Sequence, residues 1–423
     1  MGGKLSTGLL SYEKLMECTH CGLCLPYCPT YRELGFEMDS PRGRVYLVKA
    51  LEDRRVKVTE RLALHLELCV GCRACETACP SNVSFGHILE HGRSLLGDRS
   101  SVSGWWSHLL YRHVLPKKSW IIRLGRLLRL LQRSPWPHML DYPAFHGIVP
   151  DELRHAVDVL TTLPVTPQQD LQRVYRGASE SRLTAGLLVC CMMRVLLTDV
   201  NQATVRVLNH AGSDVVVPQG QECCGALHAH AGLLEEARRL AMVNILAFEV
   251  SGVDVIVTNS AGCGAHMKEY TRLFPESDGW RERARRFSEK VRDVSELLHS
   301  LGLSDGLERL PVKVAYDDPC HLLHGQGIRN EPRELLGRIP GLELISLKES
   351  DWCCGSAGTY MFTEGEMALR LLRRKLEDIV SSGADIVATG NPGCLLWIAW
   401  GLRREGIPVT CMHPVQLLDM ALQ

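Results

Sequence analysis

The chain has 423 residues, 48 basic and 48 acidic side chains and 45% hydrophobic content, which suits a soluble globular protein of two or three domains. Balanced charge gives no pull toward nucleic acid, and no run approaches the ~18 apolar residues of a membrane span, so membrane contact is expected only peripherally or through a partner. Eighteen cysteines with no signal peptide ahead of them, most in ligand-like spacing, exclude a secreted disulfide scaffold and predict a reducing, cytoplasmic setting.

The first element is Cys18-Thr19-His20-Cys21-Gly22-Leu23-Cys24-Leu25-Pro26-Tyr27-Cys28-Pro29, repeated in spacing by Cys69-Val70-Gly71-Cys72-Arg73-Ala74-Cys75-Glu76-Thr77-Ala78-Cys79-Pro80. A single pair of cysteines two apart can hook zinc, but C-x2-C-x2-C-x3-C-P written twice asks for two [4Fe-4S] cubanes. Three cysteines of a run curl around one cluster, and in two-cluster ferredoxins the fourth ligates the other. That rule assigns Cys18, Cys21, Cys24 and Cys79 to one cluster and Cys69, Cys72, Cys75 and Cys28 to the second. The prolines that follow Cys28 and Cys79 turn the backbone out of each loop.

Between the runs, Asp39-Ser40-Pro41-Arg42-Gly43-Arg44 predicts a helix start, with Asp39 or Ser40 as cap and Pro41 in the first helical position. Val45 to Leu51 continues that helix, and Leu62 to Leu68 forms a second that delivers Cys69, so a helical ferredoxin domain is expected. Arg42 and Arg44 are either positive charges near the clusters or a solvated helix end. From Trp105 the cysteines stop. Arg123, Arg126, Arg129 and Arg133 then share one side of a helix whose apolar stripe is Leu124, Leu127, Leu128 and Leu131. Such a helix lies on an anionic membrane, docks on a subunit, or covers the core with a solvated basic face. Pro135-Trp136-Pro137, Pro143, Pro150 and Pro164 mark an irregular connector.

The remainder contains a repeat. Cys223-Cys224-Gly225 recurs as Cys353-Cys354-Gly355, Cys190 precedes Cys320 by 130 positions, and Cys263 precedes Cys394 by 131. Short apolar runs lead into these cysteines at 187–189, 214–217, 254–259, 312–315, 342–345 and 385–391, and helical segments at 233–250 and 364–381 fill intervals. Strands alternating with helices predict parallel α/β layers with cysteines at the strand ends, and two lobes related by a pseudo-twofold. The fold expected is α+β multidomain: an α-helical 2×[4Fe-4S] ferredoxin domain (1–100), a helical and irregular connector (101–182), and two repeated α/β lobes (183–305 and 306–423).

This repeat resembles the cysteine-rich CCG modules of heterodisulfide reductase and its relatives, in which five cysteines hold a noncubane iron–sulfur cluster. The closing Cys-x-x-Cys of that pattern is altered here to Cys263-Gly264-Ala265-His266 and to Cys394-Leu395-Leu396-Trp397. Imidazole binds iron and indole does not. The lobe cysteines are open to four readings: a further cluster, zinc, redox thiols, or packing. As ligands the candidate sets are Cys320, Cys353, Cys354 and Cys394, or Cys190, Cys191, Cys223, Cys224 and Cys263 with His266. At most one further cluster is expected, with the Cys353-Cys354 lobe preferred because its first cysteine is unambiguous. Cys411 reads as core, and His321, His228 and His230 as satisfied structural histidines with proton handling as the alternative.

Taken together, the two runs, the 39–44 helix start and the Cys-x-x-His and Cys-x-x-Trp endings make the chain similar to the iron–sulfur subunits of bacterial glycolate oxidase, over essentially its whole length. The same architecture belongs to the third subunit of anaerobic glycerol-3-phosphate dehydrogenase and to related heterodisulfide-reductase-like oxidoreductases. The resemblance implies an electron-transfer subunit without catalytic residues of its own. It also implies an FAD-containing 2-hydroxy-acid dehydrogenase partner, a quinone-type acceptor and a place in the cytoplasm or on the cytoplasmic face of the inner membrane. No G-x-G-x-x-G opening a βαβ unit and no Walker motif is present, in keeping with a flavin carried elsewhere.

Overall fold

The computed structural model describes residues 10–100, 109–132, 157–159, 171–177, 183–303 and 306–422. The Pro135 to Pro150 stretch, Trp105, Arg133 and Pro164 lie outside the described residues, as do the side chains of Arg129 and Leu131. Up to residue 100 the described chain forms helices and no strand. Pro41–Glu52 starts as the sequence predicts: Ser40 Oγ accepts from Gly43 N at 3.0 Å, and Pro41, which has no N–H to satisfy, takes the first position. Gly43 is required because a Cβ there would stand 2.0 Å from the Glu37 carbonyl. Glu60–Glu67 is capped by Thr59 and Phe85–Ser94 completes the bundle. Val45, Val48, Leu62, Leu66, Phe85, Ile88 and Leu89 form its core.

The structure gives Arg42 and Arg44 different work. Arg44 is buried and donates to His65 O at 2.7 Å, to Thr30 Oγ1 at 2.9 Å and to Asp39 O. Its partners Thr30 and Asp39 O are the ones the Cys28 thiol faces, so Arg44 braces the turn behind Cys28. Arg42 remains at the surface beside the first cysteine run.

Helix Lys118–Gln132 exists, but its apolar residues divide. Ile121, Gly125 and Leu128 face the body, where a Cβ on Gly125 would strike Val195 at 2.2 Å. Leu124, Leu127 and Leu130 point outward with Trp120, beside exposed Arg123 and Arg126. Of the apolar stripe, Leu128 packs on the body while Leu124 and Leu127 face outward, and glycine at 125 allows the close approach.

Each lobe is a small parallel sheet covered by helices. In the first, β1 (Val174–Tyr175) is an antiparallel edge, and β2 (Leu183–Leu187), β3 (Ser213–Val216), β4 (Val255–Thr258) and β5 (Val291–Asp293) run parallel in the order β3-β2-β4-β5. The second repeats it with β6 (Lys313–Tyr316), β7 (Glu343–Ile345), β8 (Ile386–Ala388) and β9 (Thr410–Met412), ordered β7-β6-β8-β9. Ala185 pairs with Val215 and Val255, as Ala315 pairs with Ile345 and Val387. Chain order reverses beside β2 and β6, which opens a crevice at the carboxyl ends of the strands. All three cysteine-bearing segments of each lobe follow such ends.

The glycines of the two triplets are conformationally required. Gly225 and Gly355 adopt φ of +89° and +86°, and a Cβ on Gly355 would lie 2.6 Å from Ala368 O on helix Gly365–Ser382. The lobes pack reciprocally: Thr198–His210 rests on Pro414–Met420, and Val294–Leu301 on Glu331–Gly337. In each pair a helix after the first parallel strand of one sheet, β2 or β6, meets the helix after the last strand of the other, which is the expected pseudo-twofold. The equivalent caps Asp293 and His413 both close capping boxes, and His413 Nε2 also donates to Asn259 O across the interface at 3.0 Å.

The seam between the helical bundle and the second lobe carries a pH dependence. Burial, then the neighbouring Glu67, raise Glu364 to about 7, with Arg93 opposing. A carboxyl whose folded pKa lies above its unfolded value stabilises the fold while protonated, and that contribution is lost as pH rises from the ordinary glutamate range through about 7. Glu364→Gln is therefore expected to flatten the fall in thermal midpoint between pH 5 and 8. An unchanged slope in the variant assigns the dependence elsewhere.

Candidate metal centres

Cys18, Cys21, Cys24 and Cys79 line one surface pocket, together with His20, Gly22 and Arg42. The first run reaches this shape by left-handed residues at His20 (φ 56°) and Gly22 (φ 83°), the latter because a Cβ would meet Arg42 Nη1 at 2.8 Å. Arg42 is fixed by Glu37 at 2.6 and 3.1 Å and donates to His20 O at 3.0 Å, so a guanidinium stands at the rim of a thiol pocket. Cys21 is exposed. Burial pushes the Cys24 thiol up to about 11, against the pull of the Arg42 backbone N–H.

The second set is sealed. Cys28, Cys69, Cys72 and Cys75 are all buried. Burial raises the Cys72 and Cys75 thiols, and the charge each feels from its neighbours includes Cys28 and Cys69. The last cysteine of each run thus stands with the first three of the other. Around this set Arg93 donates to Cys69 O at 2.7 Å, Tyr360 Oη to Leu68 O at 2.8 Å and His321 Nε2 to Gly71 O at 3.0 Å. Arg73 is held between Glu76 and Glu269 and ties the second run to the first lobe. Thr77 meets His324 of the second lobe at 2.8 Å.

In the first lobe, five sulfurs close a ring: Cys191 meets Cys190 and Cys223, Cys190 meets Cys263, and Cys224 meets Cys223 and, at 3.1 Å, Cys263. The backbone around them is held by Asn244, which accepts from Glu222 N and donates to Cys223 O. The second lobe makes two pairs, Cys320 with Cys353 and Cys354 with Cys394. Buried Lys375 takes the place that Asn244 holds in the first lobe. It donates to Glu349 O at 2.7 Å, pairs with Asp317 at 2.8 Å and helps hold the Cys353 thiol down, after the larger effect of Cys320. Cys353 is also close enough to Cys72 to raise its pKa, and Cys72 does the same to Cys320, so the second lobe abuts the sealed ferredoxin set.

His266 is buried and lowered to about 4 by that burial, and its Nε2 has no hydrogen-bond partner. It lies in a line of rings with Tyr270, His230 and His321. Glu90, against whose charge burial works, is nonetheless lowered to about 2 by its hydrogen bond to His230. Trp397, at the position matching His266, stacks on Trp400 in the core and cannot serve as a ligand. Cys411 is half-buried in β9 and packs against the core, as expected. Attention to cysteines alone misses Lys375. A signal existed in its position: it lies on the face of its helix shared by buried Leu371, Leu372 and Ile379, where a solvated lysine does not belong.

The donor chemistry fits iron. Burial raises the Cys24, Cys72 and Cys75 thiols above their ordinary range, and a coordinating metal relieves that cost by deprotonating them. Among the described residues no three His, Cys, Asp or Glu side chains converge on one point as a single ion requires.

Comparison with known proteins agrees. The family model for a 4Fe-4S dicluster domain matches residues 14–83, and that for a cysteine-rich domain matches 185–268 and 314–399. The chain is 36% identical over 417 residues to a probable glycolate oxidase iron–sulfur subunit of Bacillus subtilis, covering 97% of this chain and 94% of that one. It is 31% identical over the same length and shares to the glycolate oxidase iron–sulfur subunit of Escherichia coli. It is also 38% identical over 418 residues to a fumarate reductase (CoM/CoB) subunit of Methanothermobacter marburgensis, covering 97% of this chain and 73% of that protein. With a dicluster domain and two cysteine-rich lobes matched end to end, the chain is an iron–sulfur protein and belongs to the family of glycolate oxidase iron–sulfur subunits.

Proposed function

We propose that the chain is the electron-transfer subunit of a glycolate or related 2-hydroxy-acid dehydrogenase complex, taking electrons from an FAD-containing partner and passing them toward a quinone-type acceptor. The observation that carries this reading is the series of thiol sets, from a surface pocket at Cys18, Cys21, Cys24 and Cys79, through the sealed set of Cys28, Cys69, Cys72 and Cys75, to Cys320 and Cys353. The names of its relatives supply the substrate class.

When bound, the clusters supply one-electron steps between a flavin, which collects two electrons as glycolate becomes glyoxylate and two protons, and a quinone, which takes up two of each. The protein's residues do the rest. Exposed Cys21 and the Arg42 rim present the first set to a partner, and Arg42 offsets the negative charge of thiolate ligation. Tyr360, Arg93 and His321 close the second set from water through backbone carbonyls of its own loop.

The purified chain is expected to show no glycolate–dye turnover until the flavoprotein subunit is added, whereupon glycolate bleaches the cluster absorbance. Turnover by the chain alone overturns the reading.

Helix Lys118–Gln132 is assigned to an anionic membrane surface, where a quinone would be met. Trp120, Leu124, Leu127 and Leu130 face outward next to Arg123 and Arg126, and Arg123 stacks on Trp120 at 5.1 Å. Apolar area with adjacent cationic charge matches a lipid interface. Arg123→Glu with Arg126→Glu should abolish co-flotation with anionic vesicles at low salt while leaving iron content unchanged. Equal flotation of variant and wild type removes the helix from this role.

A further inference from the structure

The closed ring of five thiols in the first lobe has beside it a histidine that the sequence alone reads as structural. His228 is completely buried. Its Nε2 lies 2.7 Å from the Tyr111 carbonyl oxygen, which can only accept, so Nε2 carries the proton and Nδ1 is left with a bare lone pair. Nδ1 is buried without a hydrogen bond of normal geometry. The helix that carries it, Ala226–His230, is capped by Gly225 of the Cys223-Cys224-Gly225 triplet, and the buried Cys223 thiol is its neighbour. A histidine with one nitrogen anchored to a backbone carbonyl and the other presented bare to a thiol pocket has the arrangement of a metal-ligating imidazole.

We infer that the first lobe holds the further iron–sulfur cluster, and that His228 Nδ1 ligates it together with thiolates of the Cys190, Cys191, Cys223, Cys224 and Cys263 ring. The inference rests on the reading of the chain as an iron–sulfur electron carrier. Cysteine counting prefers the second lobe, but that lobe offers two separate pairs, and the position matching His228 is Gly358. Cys191, whose partner position in the second lobe is His321, gives the first lobe a thiol that the second does not have. Imidazole in place of thiolate reduces the negative charge on a cluster and raises its potential. The first-lobe cluster would then be the most easily reduced of the chain.

The test uses the full chain purified anaerobically, with and without 15N-histidine, by iron analysis, redox titration and pulsed EPR. Wild type is expected to hold about twelve irons, at four per cluster. One reduced cluster should show strong nitrogen hyperfine coupling that changes with the 15N label. His228→Asn should lose that coupling. His228→Cys should keep about twelve irons, lose the nitrogen signal and shift that cluster alone to lower potential, a rescue that a merely structural histidine would not give. Cys353→Ser with Cys354→Ser should leave the nitrogen-coupled cluster in place. The inference is overturned by any of four results: twelve irons without nitrogen coupling, coupling that survives in His228→Asn, coupling lost with Cys353 and Cys354, or about eight irons with both ferredoxin signals intact. Absence of the ferredoxin signals themselves would overturn the electron-carrier reading, and this inference with it.

Discussion

Replacing Cys28 by serine should remove the cluster of the second cysteine run and spare that of the first, although Cys28 is only four residues from Cys24. Iron should fall by about four per chain, and the EPR signal that survives should be the one altered by Cys21→Ser. The reason is geometric. Cys28 is buried with Cys69, Cys72 and Cys75, whereas the surface pocket of Cys18, Cys21 and Cys24 is completed by Cys79. Cys79→Ser should do the reverse. Because ligation and folding are linked at such sites, the Cys28 variant should also loosen the helical bundle. Amide exchange should rise first around Thr30 and Asp39, which Arg44 ties to the same turn. Loss of the first-run signal in Cys28→Ser, with the second intact, would contradict crossed ligation.

The second large effect is expected at Lys375. Burial works against both members of the Lys375–Asp317 pair, yet Lys375 ends above its ordinary range because the carboxylate outweighs the burial, while Asp317 remains raised by it. The Lys375 ammonium is held further by the carbonyls of Glu349 and Ser350, to which it donates. Lys375→Met strands the Asp317 carboxyl in the core with Thr389 as its remaining side-chain partner, and should cost about 3–5 kcal/mol in urea unfolding of the second lobe. Asp317→Leu combined with Lys375→Met should recover most of the loss, since a buried pair exchanged for apolar groups is close to neutral. Equal instability of the single and double variants means that Lys375 acts through the Glu349 and Ser350 carbonyls instead.

What the sequence determined is what is local. Cysteines at i, i+3 and i+6 share one loop, so the two runs announced their cofactor without a fold. The Ser40-Pro41 start and the apolar runs before each lobe cysteine are decided by the backbone within a few residues, and Pro41–Glu52, β3, β4 and β6 to β8 appear where those signals lie, whereas β2 ends at Leu187, where its run begins. The repeat of the two triplets also implied matching sheets, because each Gly must turn through a left-handed φ before a helix. Tertiary structure decided which thiols meet. Cys190, Cys191, Cys223, Cys224 and Cys263 come from three separate strand ends, and strand order alone brings them into a ring. The nearness of Cys72 to Cys353, the buried charge of Lys375 and the anchoring of His228 by Tyr111 depend on how the bundle, the connector and the lobes pack. Spacing along the chain encodes neighbours within a loop, whereas contacts between loops hundreds of residues apart are set by burial of the helix and sheet faces that carry them.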